Sequence, residues 1–225
     1  MNVRREDIID GSIEAFLIEA ERMGLMKRLP PEERQASKQA IIAQHADDED
    51  IWVFGYGSLM WNPCVHYKER RPGLIHGYHR SFCFWVPLGR GSPDRPGLML
   101  ALEQGGACRG MVFRIAREEA DHELDVIWNR EMISGAYRPR LVPVATPQGP
   151  TKAITFVANR SHPRYAGRLP METMADTIAV AQGRLGSCAD YLFSTVAHLD
   201  DLGIADGPMH RLARLVRERQ KAGQS

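Results

Sequence analysis

The sequence predicts an α+β chain, and three observations carry that prediction. Residues 51–158 break into short apolar runs separated by turn clusters, as strands do. Residues 168–221 place apolar side chains three and four apart, as helices do. Residues 1–50 are rich in charge and in helix formers. Runs of strands followed by runs of helices favour α+β over alternating βαβ units. The expected division is an N-terminal helical arm with an acidic linker over 1–50, then one domain over 51–221.

The elements follow in order. Ile9, Ile13, Phe16, Leu17 and Ala20 fall on one stripe and predict a single amphipathic helix. Pro30-Pro31 breaks the chain, since proline lacks the N–H that a helix interior needs. Glu32 to Gln44 reads as a second helix, and Asp47-Asp48-Glu49-Asp50 as the acidic linker. The arm is expected to pack on the main body or on a partner subunit.

Strands are expected at Ile51–Phe54, Leu74–Val86, Leu98–Glu103, Arg109–Ile115, Arg138–Val144 and Lys152–Val157. Leu88–Gly97 and Gln104-Gly-Gly106 read as the turns between them. One helix, Arg117 to Met132, interrupts the strands. Three helices close the chain. Pro170 suits the first turn of one and Pro208 the start of another. Ser187-Cys-Ala-Asp190 resembles a capping box with Asp in the place of Glu. In the last helix Met209, Leu212, Leu215 and Val216 form the apolar stripe. Arg211, Arg214, Arg217 and Arg219 lie mainly outside it and read as a solvated face.

Composition excludes several function classes. The 225 residues are 44% hydrophobic and 25% charged, ordinary for a globular protein. A formal net charge of +1 gives no field favouring nucleic acid or an anionic membrane. No apolar run approaches the roughly 18 residues of a transmembrane helix. The N-terminus lacks the apolar core of a signal peptide. Cys64, Cys83, Cys108 and Cys188 show no C-x-x-C spacing and read as reduced thiols in a cytosol. Cytoplasmic localisation is the expectation.

Two segments stand out. Ile51–Phe54 is a short apolar run that breaks abruptly into Gly55, Tyr56, Gly57 and Ser58. That pattern is a buried strand ending in a tight loop. Glycines there permit positive φ and leave backbone N–H groups unshielded. Consecutive N–H groups form a concavity for a carboxylate or a carbonyl oxygen gaining charge. A plain strand-to-turn junction gives the same pattern.

The second segment is the helix from Arg117 to Met132. Its core-facing stripe is Ala120, Leu124, Ile127 and Trp128. Glu131 lies four residues after Ile127 and seven after Leu124, on that same face. Carboxylates are almost never buried unpaired. Desolvation and the negative end of the helix dipole both push such a group above the free-glutamate value of about 4.3. A glutamate tuned to about 6–7 is a competent acid and base near neutral pH. A structural salt bridge to Arg130 or Arg138 fits the same pattern.

Together the segments are more specific than either alone. Phe54-Gly-Tyr-Gly-Ser-Leu59, followed later by Arg130-Glu131-x-x-x-Gly135-x-Tyr137, resembles the ChaC-type γ-glutamylcyclotransferases. Gly77–Phe82, Gly89-Arg-Gly91, His162-Pro163 with Tyr165, and Tyr191-Leu-Phe193 extend the resemblance, which is to the bacterial branch and runs over about 51–218. Many relatives have Gly-Gly-Tyr where this chain has Gly135-Ala136-Tyr137.

The resemblance implies a γ-glutamylcyclotransferase-like mixed β-barrel with helices around it. It implies cleavage of glutathione into 5-oxoproline and cysteinylglycine without a cofactor or metal, a lyase-type reaction. It implies that the loop of Val53, Phe54, Gly55, Tyr56, Gly57, Ser58 and Leu59 holds the γ-glutamyl group. Glu131 would be the general base and acid.

The chemistry suits these residue types. The substrate's own α-amine attacks its own γ-carbonyl, so no nucleophilic Ser or Cys is needed. A peptide α-amine has a pKa of about 7.7–8.0 and starts largely protonated. One carboxylate can take that proton and return it to the departing nitrogen. Arg80 or Arg90 could pair with a substrate carboxylate. Tyr137 and Tyr191 could donate hydrogen bonds. A structural role is as well supported for each of these four.

Other constellations are weak. His76 and His79 point to opposite faces of a strand, poor geometry for a metal. Gly89-Arg-Gly-Ser92 lacks the Lys-Ser/Thr ending of a P-loop. Cys64 and His66 alternate along an extended segment and rarely make a thiol–imidazole pair. Trp52, Trp61, Trp85 and Trp128 read as core. Two alternatives remain: ring closure on another γ-glutamyl amine, and a non-catalytic module that binds γ-glutamyl metabolites. Oligomeric state is not legible.

Overall fold

The structure is a computed structural model, and it describes residues 4–46 and 48–223. The chain divides into two compact units. Of the described residues, the first takes those in 4–79 and 102–159, and the second those in 80–101 and 160–223.

The first unit begins with helices α1 (Arg5–Ile9), α2 (Ser12–Arg22) and α3 (Pro31–Ile42). The single helix expected at Ile9–Ala20 is thus two. Gly11 sits at φ +79°, and Asp10 Oδ1 accepts both the backbone N–H and the hydroxyl of Ser12. That Asp-Gly-Ser punctuation outweighs the apolar periodicity, because Asp and Ser bond their neighbours' backbone in place of the helix. Ala20 is buried at 2% exposure, but Ile9 is 56% exposed. The side chain of Phe16 and the residue Asp47 of the expected linker lie outside the described residues.

Five strands follow: β1 (Ile51–Gly55), β2 (Glu69–Val86), β3 (Gly97–Ile115), β4 (Tyr137–Thr146) and β5 (Gly149–Ala158). They close a barrel in the order β1-β3-β2-β4-β5, with β3 also pairing β5. Closure removes the exposed edges that an open sheet would present. β2 and β3 each contribute residues to both units.

β1 is flanked on both sides, antiparallel to β3 (Val53↔Phe113) and parallel to β5 (Val53↔Ile154). Side chains on both of its faces are also covered, with Ile51, Val53 and Phe54 buried and Trp52 half-buried, which is why Ile51–Phe54 reads as a continuous apolar run. The two strands expected at Leu98–Glu103 and Arg109–Ile115 are one continuous strand. Gly105 and Gly106 have φ of +104° and +72°, and His79 Nδ1 lies 2.9 Å from the Gly105 carbonyl oxygen. The glycine pair bends the strand without ending it, as strands at barrel corners do.

Helix α4 (Ala120–Glu131) follows a 3₁₀ turn over Arg117–Glu119. Ala120, Leu124, Ile127 and Trp128 enter one core with Ile51, Val53, Ile115, Ile154 and Phe156. Each fully buried aliphatic side chain there is worth about 1.5–3 kcal/mol. Trp128 meets Phe156 edge-on at 5.2 Å, and its Nε1 donates to Ser37 Oγ at 2.8 Å. Lys38 of α3 is buried; its Nζ donates to Asp121 Oδ1 at 2.9 Å and Asp125 Oδ1 at 2.5 Å. Burial opposes that ammonium charge, but the two carboxylates outweigh it and raise its pKa. The arm therefore packs along α4 within its own chain.

The second unit holds α5 (Met171–Val180), the hairpin β6 (Gln182–Gly183) with β7 (Gly186–Ser187), α6 (Cys188–Asp201) and α7 (Gly207–Ala222). Pro170 is the N-cap of α5, one place before the expected position. Ser187 Oγ caps α6 by accepting the Asp190 N–H at 2.9 Å. Met209, Leu212 and Val216 of α7 are buried as expected. Arg211, Arg214 and Arg217 are exposed, and Arg219 pairs with Glu172 and Asp176, both at 2.6 Å.

None of Cys64, Cys83, Cys108 and Cys188 is in a disulfide. Among the described residues no helix is long and apolar enough to cross a membrane.

Candidate active site

The glycine turn is built by the end of β1 and a 3₁₀ turn over Ser58–Met60. Met60 N–H donates to the Gly57 carbonyl at 2.9 Å, and Asn62 N–H to the Ser58 carbonyl at 2.8 Å. The positive φ expected of these glycines is not found. Gly57 sits at φ −127°, and Gly55 is not among the positive-φ glycines. A Cβ on Gly55 would lie 2.9 Å from Leu59 Cβ and 3.0 Å from the Leu59 carbonyl carbon. Gly55 is required because the turn folds back onto it.

Val53, Phe54, Tyr56 and Leu59 are buried, with Phe54 at 0% exposure. Thr155 Oγ1 donates to the Phe54 carbonyl at 3.1 Å. Gly55 and Gly57 are buried with them, and Ser58 is the half-buried residue of the turn.

Glu131 is the last residue of α4, and its side chain is 15% exposed. Burial pushes its carboxyl above the usual glutamate range, and the nearby Arg130 charge only partly opposes this. The carbonyl end of α4 adds to the upward push.

Arg130 joins this carboxylate to the glycine turn. Its Nε lies 3.1 Å from Glu131 Oε1. Its Nη2 donates to Ser58 Oγ at 2.7 Å, and Nη1 donates to the Asn62 carbonyl at 2.6 Å and to Cys64 Sγ at 3.1 Å. The salt bridge weighed for Glu131 therefore exists, and it lies at the glycine turn. Beyond Glu131 the chain turns at Gly135, and Asn159 N–H donates to the Ala136 carbonyl at 2.9 Å. Tyr137 then opens β4 opposite Ala158, half-buried against the core.

α4 carries a second buried carboxylate. Glu123 is 2% exposed; Arg5 Nη1 and Nη2 donate to its two oxygens at 2.5 and 2.7 Å, and His66 N–H adds a bond at 2.9 Å. Burial raises this carboxyl, but the Arg5 fork and the His66 N–H outweigh it and hold it below the usual range. One helix thus carries two carboxylates pushed in opposite directions. Their surroundings differ: Glu123 is held as an anion by the Arg5 fork and the His66 N–H, whereas burial of Glu131 favours its neutral form.

Opposite shifts give opposite pH signatures of stability. Glu131, shifted up from 4.5, contributes stability that is present below that value and lost as pH rises through its folded value. The melting temperature of Glu131→Gln should therefore gain on the parent as pH rises from 4.5 towards neutrality. Glu123, shifted down, contributes stability present above 4.5 and lost as pH falls through its folded value. For Glu123→Gln the deficit should shrink on acidification. Thermal melts across the acid range check both signs, and a Glu131→Gln variant that loses ground to the parent as pH rises would reverse the assignment.

Residues 51–219 match the profile of the family described as ChaC-like protein. The chain belongs to the ChaC-like family. The glutathione-specific γ-glutamylcyclotransferase of Escherichia coli (strain K12) is 41% identical over 182 residues, covering 80% of this chain and 79% of that protein. The glutathione-specific γ-glutamylcyclotransferase 1 of Homo sapiens is 31% identical over 169 residues, covering 72% and 76%. A crystal structure of a γ-glutamyl cyclotransferase specific to glutathione from yeast aligns at a TM-score of 0.70 and 23% identity, covering 76% of this chain and 97% of that one. That likeness shows the fold: a ChaC-like barrel of the γ-glutamylcyclotransferase kind.

The second unit of the ChaC-like chain holds Arg80, Arg90 and Tyr191. Arg80 is buried, and its Nη1 donates to Asp206 Oδ2 at 2.9 Å; Asp206 Oδ1 in turn caps α7 through the Met209 N–H. Arg90 donates to the Ser187 carbonyl at 3.1 Å and lies 5.2 Å from the ring centre of Tyr191, itself 8% exposed. Within their own unit these residues are tied to α6 and α7.

A cavity of about 530 Å³ in the first unit shares no residue with the glycine turn or Glu131. It is lined by His45, Asp50, Trp52, Arg71 and Arg114 among others, and its arginines are already paired. Arg114 meets Asp50 at 2.7 Å, and Arg71 meets Glu69 at 2.9 Å while lying 4.3 Å from the centre of the Trp52 ring.

Sequence reasoning missed Glu123 as a buried group and Arg130 as an organiser. Glu123 had a signal: it lies three residues after Ala120 and four before Ile127, on the same buried face. Arg130 was legible only as a partner for Glu131; its contacts to Ser58, Asn62 and Cys64 had no signal, because those partners come from a loop far back in the chain.

Proposed function

We propose that this ChaC-like protein cyclises the γ-glutamyl group of glutathione, releasing 5-oxoproline and cysteinylglycine. The observation that carries the reading is Glu131: a carboxyl with a raised pKa, linked through Arg130 to the glycine turn. The names of the relatives support the substrate, and the E. coli relative supports it most through 41% identity.

In this reading the main chain around Tyr56, Gly57 and Ser58 receives the γ-glutamyl group. Glu131 takes a proton from the α-ammonium, and the freed amine attacks the γ-carbonyl carbon. The C–N bond to cysteine breaks, and a proton passes through Glu131 to the departing nitrogen. No water is consumed, and no covalent enzyme intermediate forms. Proton transfer by a positioned carboxylate contributes about 10²–10⁴-fold, and holding the flexible chain in its ring-closing conformer contributes further. Buried main-chain N–H groups aimed at the developing oxyanion stabilise it where water cannot compete. Four cysteines outside disulfides suit a reducing compartment, and we place the reaction in the cytosol.

Incubation with glutathione and with a panel of other γ-glutamyl amines, read by mass spectrometry, tests the proposal. Glutathione should yield 5-oxoproline and cysteinylglycine in equal amounts. Equal turnover of the whole panel would move the assignment to a broader cyclotransferase. Binding of glutathione without product would leave a non-catalytic γ-glutamyl-binding module.

A further inference from the structure

The N-terminal arm reaches the candidate site from behind. Arg5 of α1 is 16% exposed, and its guanidinium spans two elements. Nη1 donates both to Glu123 Oε2 on α4 at 2.5 Å and to the Cys64 carbonyl at 2.8 Å, while Nη2 donates to Glu123 Oε1. Cys64 belongs to the loop that follows the glycine turn. It adopts φ +59°, a value unusual outside glycine, and its Sγ accepts from Arg130 Nη1 at 3.1 Å. His66, two residues on, donates its N–H to the same Glu123. Two arginines therefore hold one short loop against one helix: Arg5 at Glu123, two turns back from the end of α4, and Arg130 next to Glu131.

We propose that Arg5 is a positioning residue for the reaction: it locks α4 to the loop behind the glycine turn and thereby fixes Glu131 against that turn. Arg5 does not contact Glu131. It acts through Cys64 and through Arg130, which ties Cys64 and Ser58 to the end of α4. Only the arginine fork suits this task, because a bidentate carboxylate contact and a carbonyl contact must be made by one group. A shift of about 1 Å between a general base and its substrate can cost about a hundredfold in rate. The inference rests on Glu131 being the proton-transferring group.

Removing Arg5 alone would strand the buried Glu123 charge and risk unfolding. The test therefore uses the full-length chain carrying Arg5→Gln together with Glu123→Gln, which leaves no buried charge and keeps hydrogen-bonding groups in place. Its melting temperature should stay within about 4 °C of the parent. Its kcat on glutathione should fall roughly tenfold to a hundredfold, with KM changed by less than about threefold. A purely structural Arg5 predicts instead that kcat recovers once folding is restored, and a folded double variant with parental kcat overturns the proposal. Arg5→Lys is the second variant: it keeps the charge opposite Glu123 but cannot reach both Glu123 oxygens and the Cys64 carbonyl at once. It should fold and show a smaller loss of kcat, and full activity in a folded Arg5→Lys also overturns the proposal. Glu131→Gln is assayed in parallel. Full turnover by that variant would defeat the functional reading itself, whereas an inactive Glu131→Gln beside fully active Arg5 variants would defeat only the positioning role.

Discussion

Glu131→Gln is expected to lower turnover of glutathione by about 10²–10⁴-fold, the usual worth of a positioned acid–base group. The substitution keeps the shape of the side chain and an oxygen that can accept from Arg130 Nε. It removes the one feature the proposed reaction asks of this residue, a site that takes up and gives back a proton. The fold should survive, because the parental carboxylate is held against its preference by burial. At neutral pH the amide removes that cost. KM should move little, because the glycine turn is unchanged. Initial rates of 5-oxoproline release, taken beside a thermal melt, decide the matter. A folded Glu131→Gln that keeps a tenth or more of the parental rate would remove Glu131 from the chemistry. The parental rate should also rise with pH along a limb set above the ordinary glutamate value of 4.5.

Glu131 was legible because burial in a helix is periodic. Its place four residues after Ile127 puts it on the core-facing side of the helix. β1 was legible for a related reason: a strand covered on both sides has no polar face to show. What failed were features that local pattern cannot encode. The closed barrel depends on pairings such as Val53↔Ile154, made between strands far apart in the chain. Gly105-Gly106 looked like a turn, because the two uses of positive φ, ending a strand and bending it, share one composition. The apolar periodicity of the arm runs on through Asp10-Gly11, but the helix does not, because the local Asp-Gly-Ser bonding there is the stronger signal. Arg5 and Glu123 lie 118 residues apart, and neither has a neighbour in sequence that points to the other. The groups expected to do chemistry announced themselves locally; the groups that hold them in register did not.

Arg130 offers the sharper separation of effects. Its guanidinium does two things: its charge lowers the pKa of Glu131 against burial, and its fork ties the end of α4 to Ser58, Asn62 and Cys64. Arg130→Gln removes both. Without the cation the carboxyl rises further, so less of it is ionised at neutral pH. Activity near pH 7 should fall roughly tenfold to a hundredfold, and part of the loss should return in more alkaline buffer, where the base is regenerated. The acidic limb of kcat/KM should move to higher pH. Arg130→Lys keeps a cation but replaces a rigid five-donor fork with a single ammonium that cannot reach all of its partners together. Its acidic limb should stay near the parental position while kcat remains depressed at every pH. The two profiles thus isolate charge from geometry. An Arg130→Gln profile that loses rate with its limb unmoved would show that this arginine governs the register of the turn alone, and that desolvation by itself sets the proton affinity of Glu131.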